Sequence, residues 1–183
     1  MPVLIAILVI LVIVGIFVVS NYNALVTLRN RVKDQASHID IQLKRRFDLI
    51  PNLMECVKGY MKHEKDTLED IVKARNSFEK AGDLEGEVKA DNQLTKAVTK
   101  LFALAEAYPD LKANENFVNL QAELSGTEDK VATARQFYSD TVLLYNNKIQ
   151  MFPSNIVAKL FGFIEEKFFE ATDEEKENVK VKF

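Results

Sequence analysis

The first pattern along the chain is an unbroken apolar run from Val3 to Val19, 17 residues made almost wholly of valine, isoleucine and leucine. At a rise of about 1.5 Å per residue, a helix of this length spans roughly 26 Å. The flanking residues would complete the crossing of a hydrocarbon layer about 30 Å thick. The run has no polar face, which argues against a helix buried in a soluble core. The pattern therefore predicts a transmembrane helix over residues 1–20.

A cleaved signal peptide is the main alternative to an uncleaved anchor. Signal peptides have a basic start and a cleavage site of small residues. Here no Lys or Arg precedes the run, and Val18–Asn21 is a poor cleavage site. Arg29, Arg31 and Lys33 follow the span, and basic residues are enriched on the cytoplasmic side. We expect a single-pass anchor in the cell membrane, with the short N-terminus outside and the helical body in the cytoplasm.

Beyond the anchor, apolar positions recur every three or four residues, which is the period of an α-helix. The recurrence predicts four amphipathic helices, over about 21–50, 51–80, 84–108 and 116–150. Four long helices with short connections suit an up-and-down bundle. The predicted fold is therefore all-α, with a single-pass transmembrane helix followed by an elongated antiparallel four-helix bundle. The main inward-facing positions are Leu25, Val32, Ile39, Leu43, Phe47, Ile50, Leu53, Val57, Tyr60, Leu68, Ile71, Phe78, Val88, Leu94, Val98, Leu101, Phe117, Leu124, Val131, Tyr138, Val142 and Tyr145.

Pro51 leaves two arrangements open for the first two helices of the body. Proline disfavours helical structure at the preceding residue, Ile50, so the chain could reverse there. Alternatively, Pro51 only kinks the chain, and the first two helices form one long rod. The hydrophobic pattern is compatible with both arrangements.

Composition narrows the classes of function. The single cysteine excludes an intramolecular disulfide and a Cys-rich zinc module. The net charge of −3 gives no general attraction to nucleic acid. Residues 21–62 contain 8 Lys and Arg against 4 Asp and Glu, whereas the rest of the chain contains 16 against 23. The excess of basic residues in 21–62 has two explanations. It reflects either the usual enrichment of Lys and Arg on the cytoplasmic side of a membrane span or an attraction to anionic lipid.

Asp48 and Asn52, on either side of Pro51, are the strongest polar candidates for contacts with a partner. The alternative is a structural role, because Asp and Asn beside a proline often bond to local backbone groups. Cys56 lacks the local base that a nucleophilic cysteine needs. We expect Cys56 to be a small hydrophobic residue of the bundle.

His63 and Glu64 raise the question of a metal site. Bundles that bind two metals use Glu together with Glu-x-x-His pairs from facing helices. The residues three positions before the two histidines are Tyr60 and Gln35, which do not fit that pattern. We therefore expect no metal, no cofactor and no catalytic residue. Glu64 is expected to form a structural ion pair with one of three arginines, Arg45, Arg46 or Arg75.

The C-terminal segment over residues 152–170 is rich in phenylalanine, with 5 of the 12 in the chain. They are Phe152, Phe161, Phe163, Phe168 and Phe169, and acidic residues follow them. A short helix is predicted over Asn155 to Phe163, after Phe152-Pro153 ends the fourth helix. The aromatic side chains either cap the open end of the bundle or contact lipid or a membrane partner. Phe161 and Phe163 are the candidate contact residues.

Several short motifs extend from the end of the anchor to about Ala171. They include Asn21-Tyr22-Asn23, Arg46-Phe47-Asp48-Leu49-Ile50-Pro51-Asn52-Leu53, Val57-Lys58-Gly59-Tyr60, Ala74-Arg75-Asn76, Tyr108-Pro109-Asp110-Leu111, Phe152-Pro153-Ser154 and Phe161-Gly162-Phe163. Taken together, they resemble the LemA family of bacterial membrane-anchored helical proteins. The resemblance implies an N-terminal single-pass anchor, a small N-terminus outside and a helical bundle inside. It implies no particular activity.

These observations predict three segments: an anchor over 1–20, a LemA-like bundle over 21–150 and an aromatic, then charged, tail over 151–183. The expected function is a membrane-anchored helical scaffold or protein-interaction module of the bacterial cell envelope, without catalytic activity. Its expected partners are the lipid bilayer, through residues 1–20, and a membrane or cytosolic protein. A homo-oligomer is compatible with the pattern, and nucleic acid is not expected. The first alternative is a lipid-binding or membrane-shaping helical protein, and the second is a metal protein or enzyme.

Overall fold

The computed structural model describes residues 1–61 and 63–168. These residues form seven helices and no strand, so the predicted all-α class is confirmed. The helices are α1 (Pro2–Asp48), α2 (Ile50–Lys58), α3 (Lys65–Lys80), α4 (Leu84–Ala105), α5 (Pro109–Lys112), α6 (Glu115–Gln150) and α7 (Ser154–Leu160). The predicted residues Phe169, Glu170 and Asp173–Glu175 lie outside the described part of the chain.

The helices are distributed over two compact units. The anchor unit combines Met1–Lys33 with the described part of Phe137–Phe183, and the bundle unit is Asp34–Gln136. The anchor unit thus contains the first part of α1, the end of α6 and all of α7. The bundle unit contains the end of α1, the first part of α6 and all of α2 to α5.

Pro51 does not reverse the chain. Leu49 is the single residue between α1 and α2, and its carbonyl accepts a hydrogen bond from the Leu53 amide at 3.1 Å. Pro51 lies in the first turn of α2, where its missing N–H costs little. Phe47, Ile50 and Leu53 are all buried in one core. The alternative in which the first two helices continue past Pro51 is therefore correct as far as Lys58.

The prediction of one helix over 51–80 is wrong. Helical structure ends at Lys58 and begins again at Lys65. Gly59 follows the last helical residue, and glycine disfavours the helix interior by about 1 kcal/mol relative to alanine. Met61, three residues beyond the end of α2, is almost completely buried in the core. Tyr60, predicted to face inward, is 38% exposed.

The core of the bundle unit is formed by side chains from α1 to α6, and the predicted bundle packing is confirmed. Asp83 starts α4 by accepting a hydrogen bond from the Gly86 amide at 2.8 Å, and α3 packs along α4. The Phe47 and Phe78 rings are stacked, with centroids 4.1 Å apart. Burying each large aliphatic side chain stabilises the fold by about 1.5–3 kcal/mol. The core includes Phe47, Ile50, Leu53, Val57, Met61, Ile71, Leu94, Val98, Leu101, Leu111, Phe117 and Leu124.

The anchor unit begins with the apolar run. Its large side chains between Val3 and Phe17 are exposed to the surroundings rather than buried against protein. The run is long and apolar enough to cross a membrane, and it lies within one helix. Beyond Ser20 the same helix packs into protein, because Leu25 and Val32 are buried together with residues of α6 and α7.

A tight turn at Gly162 ends α7. The Gly162 amide donates to the Lys159 carbonyl at 3.3 Å, and the Phe163 amide donates to the Ala158 carbonyl at 2.9 Å. This pair of bonds is the Schellman pattern that closes many helices. Gly162 has a φ of +71°, a left-handed conformation that glycine adopts without steric cost. The turn directs residues 163–168 onto α6.

Candidate functional site

An open cleft with a volume of about 520 Å³ lies between α2 and the start of α6 in the bundle unit. Its floor is formed by the half-buried Leu49, Cys56 and Leu120. Amide and carboxylate side chains surround this floor. They are Asn52 and Glu55 from α2, Asn114 just before α6, and Asn116, Asn119 and Glu123 from the start of α6. We call this feature the Asn-lined cleft.

Helical periodicity explains how each wall of the cleft is built. On α6, Asn116, Asn119 and Glu123 recur at steps of three and four, so they share one face. Phe117 and Leu124 occupy a neighbouring face and are buried in the core. The core therefore fixes the direction in which the polar side chains of this wall point.

Asn114 closes one end of the cleft and caps α6. Its Oδ1 accepts hydrogen bonds from the Asn116 amide at 2.9 Å and the Phe117 amide at 3.2 Å. Its Nδ2 donates to the Tyr60 hydroxyl at 3.4 Å. The two bonds to Oδ1 satisfy backbone donors that the first turn of a helix leaves without partners. Asn114 is thus a structural member of the cleft wall.

The structure separates the two predicted polar candidates beside Pro51. Asn52 is exposed and lines the cleft, whereas Asp48 is exposed at the end of α1 and is not among the lining residues. The amides of Asn116 and Asn119, more than 60 residues later in the chain, join Asn52 there. Sequence reasoning missed these two residues, although their helical spacing is visible in the sequence.

The chemistry of the cleft suits binding. Each amide side chain offers both donors and acceptors, and Glu55 and Glu123 add negative charge. Among the described lining residues, none carries a positive charge. Burial raises the pKa of the Cys56 thiol, so the thiolate needed for nucleophilic attack is disfavoured. Within the described ranges, no three or more His, Cys, Asp and Glu side chains are grouped to hold a metal.

A buried ion-pair cluster centred on Arg46 was not anticipated from the sequence. Nη1 of Arg46 donates to Asp91 Oδ1 at 2.5 Å and to Thr95 Oγ1 at 2.9 Å, and Nη2 donates to Glu128 Oε2 at 3.0 Å. Arg46 and Asp91 are buried, and Glu128 is partly exposed. The cluster connects α1, α4 and α6 inside the bundle unit. Burial raises the pKa of Asp91, and the positive charge of Arg46 offsets part of this increase.

Glu64 has a different role from the predicted ion pair. Its Oε1 accepts a hydrogen bond from the Tyr108 hydroxyl at 3.2 Å. Of the arginines proposed as its partners, Arg46 binds the buried cluster and Arg75 pairs with Glu79 at 3.1 Å. Glu64 lies just before α3, not inside a continuous helix over 51–80, so the helical face assumed from the sequence does not apply to it.

In the anchor unit, Phe161 and Phe163 both contact Tyr22. The Tyr22 ring centroid lies 4.8 Å from that of Phe161 and 5.7 Å from that of Phe163. The Arg29 guanidinium lies over the Phe163 ring, 5.3 Å from its centroid. Phe163 is buried and serves packing, whereas about half of Phe161 is exposed. Phe152 and Phe168 are also exposed.

A second unpredicted feature, at Asn146, holds residues 163–168 against α6. The Asn146 side chain donates to the Glu166 carbonyl at 2.8 Å and accepts from the Glu166 amide at 3.0 Å. The Tyr138 hydroxyl donates to the Lys167 carbonyl at 3.1 Å. Asn146 is buried, so these bonds satisfy a polar group that would otherwise be costly to bury.

Comparison with known proteins shows which family and which relatives this chain resembles. The model of the LemA family matches residues 35–183. Protein LemA of Metamycoplasma hominis is 28% identical over 170 residues, which cover 91% of this chain and 78% of that protein. Magnetosome protein MamQ 2 of Paramagnetospirillum magneticum is 24% identical over 176 residues, 82% of this chain and 65% of that protein. Magnetosome protein MamQ of Magnetospirillum gryphiswaldense is 22% identical over 175 residues, 81% of this chain and 64% of that protein.

This chain thus covers just under two thirds of these two magnetosome relatives. The family match includes most of the helical body, and the motifs that indicated the resemblance lie largely within it. Together with the apolar N-terminal helix, the match indicates a membrane-associated helical protein. The chain belongs to the LemA family.

Proposed function

We propose that this protein is a membrane-anchored interaction module whose Asn-lined cleft binds an extended, basic segment of a partner protein. The observation that carries the proposal is the composition of the cleft wall. The exposed amides of Asn52, Asn116 and Asn119 can pair with the N–H and C=O groups of an extended backbone. Glu55 and Glu123 favour a Lys or Arg side chain in the bound segment, because charge-assisted hydrogen bonds are stronger than neutral ones.

A non-catalytic role agrees with the same geometry. Cys56 is half-buried, its thiol pKa is raised, and its nearest polar partner is the Asn114 side chain, with Sγ 4.0 Å from Oδ1. Asn114 in turn is used as a helix cap. The cleft therefore provides recognition chemistry without an activated nucleophile.

The apolar N-terminal helix is the proposed membrane anchor of this module. We propose that residues 1–20 cross the cell membrane with the N-terminus outside and the body in the cytoplasm. The basic residues Arg29, Arg31 and Lys33 support this orientation. A tether of this kind keeps the cleft at the membrane and raises the effective concentration of the module for membrane-bound partners.

Peptide display against the full-length protein in nanodiscs tests the proposed specificity. We expect selected peptides to be enriched in Lys and Arg. The double variant Glu55→Gln/Glu123→Gln should weaken their binding at least tenfold, or about 1.4 kcal/mol. The matched control Asp66→Asn/Glu69→Gln removes two exposed charges from α3 and should leave the affinity unchanged. Equal weakening by both double variants would show that the cleft is not the binding site.

Photo-crosslinking in native membranes provides a separate test in the full-length chain. A crosslinking side chain at position 119 should give a discrete protein adduct. The control position is Asp129, which is also exposed on α6 but lies ten residues further along the helix. No adduct at 119 beyond the background at 129 would contradict the proposal.

A further inference from the structure

Helix α7 has two faces of different character. Ser154, Val157 and Ala158 are buried against the anchor unit. Ile156 and Leu160, four residues apart and therefore on one helical face, are 59% and 72% exposed. A soluble protein would be expected to place polar residues on such a face. The outer face of α7 is instead apolar.

The exposed apolar surface continues on both sides of α7. We call it the α7 patch and define it by six exposed side chains, Met151, Phe152, Ile156, Leu160, Phe161 and Ile164. Single exposed apolar residues are common on protein surfaces, but a group of this kind usually marks an interaction site.

A contact within the anchor unit places Phe161, a member of this patch, next to the end of the apolar run. Phe161 packs on Tyr22, three residues beyond Val19. Protein already covers part of Val18, and Asn21 is buried with its amide bonded to the Phe17 carbonyl at 2.9 Å. The last turn of the membrane segment is thus in contact with the folded unit. A bilayer crossed by residues 1–20 must have one of its surfaces at this level.

We infer that the α7 patch lies in the interfacial layer of the same bilayer that the N-terminal helix crosses. The apolar side chains of Ile156 and Leu160 would enter the boundary between headgroups and acyl chains, as amphipathic interfacial helices do. Lys159 is exposed beside Leu160 and can extend its amine toward lipid phosphate groups. Continuity with the membrane helix favours lipid over a second copy of the chain as the group that covers the patch.

Apolar insertion, rather than charge, drives this contact. Near Lys159 the described chain also carries the acidic residues Glu165 and Glu166, so the local charge does not select anionic lipid. Insertion is therefore expected in zwitterionic bilayers as well. The bonds of Asn146 and Tyr138 to residues 166 and 167 hold the segment after α7 on α6. These bonds tie the segment that follows α7 to the part of α6 in the anchor unit.

Fluorescence quenching in proteoliposomes tests the inference with the full chain. Cys56→Ala removes the native thiol, and single cysteines at position 156 or 160 carry an environment-sensitive fluorophore. The vesicles contain phosphatidylcholine and a shallow, lipid-borne spin-label quencher. The control label is at position 137, because Phe137 belongs to the same unit and is 56% exposed, comparable to Ile156. Circular dichroism checks that each labelled protein is folded.

We expect blue-shifted emission at positions 156 and 160 and at least twofold stronger quenching by the lipid-borne label than at 137. Aqueous iodide should quench position 137 more strongly than 156 or 160. Lipid-borne quenching at both patch positions no stronger than at 137 would overturn the inference. Protection of the patch from both quenchers would also overturn it, since that result means that protein, such as a second copy, covers the patch.

Discussion

Nη1 of Arg46 lies 2.5 Å from Oδ1 of Asp91, and both side chains are almost completely buried in the bundle unit. Removing one member of a buried pair leaves the other charge without compensation, which typically costs about 3–5 kcal/mol. Arg46→Met should therefore lower the free energy of unfolding by an amount in this range. Urea unfolding of the full-length protein in detergent, followed by circular dichroism, measures the loss.

Two further variants separate the charge effect from general damage to the core. Arg46→Met/Asp91→Leu should recover a large part of the lost stability, because apolar replacements of a buried pair are often tolerated. Arg45→Met, at the exposed neighbouring position, should change stability by no more than about 0.5 kcal/mol. A double variant no more stable than Arg46→Met would contradict this account of the pair.

The sequence could have predicted that Arg46 and Asp91 are buried, but not that these two side chains pair with each other. Arg46 follows Leu43 by three residues and precedes Ile50 by four, and Asp91 lies three residues from both Val88 and Leu94. All four aliphatic neighbours are buried, so the same helical period places both charged residues on inner faces. Which carboxylate meets which arginine depends on how helices distant in sequence pack together, and that information is absent from a one-dimensional pattern.

The break before α3 shows a different limit of the hydrophobic pattern. The predicted inner stripe jumps from Tyr60 to Leu68, and the six residues from Lys62 to Thr67 include no apolar side chain. That gap was a local sign that the helix is interrupted. The pattern did predict the inner positions within continuous helices, such as Leu101 and Val131, because burial on one side of a helix requires that period.

Asn114 and Asn119 both line the cleft, but only Asn114 should contribute to the stability of the fold. Asn114→Ala removes the acceptor for the first amides of α6 and should lower stability by about 0.5–2 kcal/mol. Asn114→Asp keeps a capping oxygen and should retain most of the stability. Asn119→Ala, on the exposed wall of the same cleft, should leave the unfolding midpoint unchanged. Equal unfolding midpoints for Asn114→Ala and Asn119→Ala would argue against the capping role.

Cys56 should react slowly with thiol reagents. Burial raises its thiol pKa, so at any given pH below that value the native protein contains less thiolate than a free thiol does. The rate of reaction with a disulfide reagent between pH 7 and pH 10 should reach half its maximum at a higher pH than for a small free thiol. Urea should remove the difference.

The same shift has a consequence for stability. A raised thiol pKa means that the folded state holds the proton more tightly than the unfolded state. The contribution of Cys56 to the free energy of unfolding therefore falls as the pH rises from the pKa of the free thiol through the raised pKa of the folded state. Cys56→Ala should remove this part of the pH dependence. A native thiol that reacts as fast as a free thiol throughout the pH range would contradict the effect of burial.

Asn146 should control how firmly the segment after α7 is held. Its side chain accepts a hydrogen bond from the Glu166 amide and donates one to the Glu166 carbonyl. Asn146→Leu removes both bonds and leaves these two backbone groups without their protein partner. Hydrogen exchange in a peptide covering residues 161–168 should accelerate at least tenfold at the Glu166 amide. Asn147→Leu changes the exposed neighbour on α6 and should leave this exchange rate unchanged. Identical exchange in both variants would mean that the segment is held by its other contacts, the bond from Tyr138 to the Lys167 carbonyl and the packing of Phe161 and Phe163 on Tyr22.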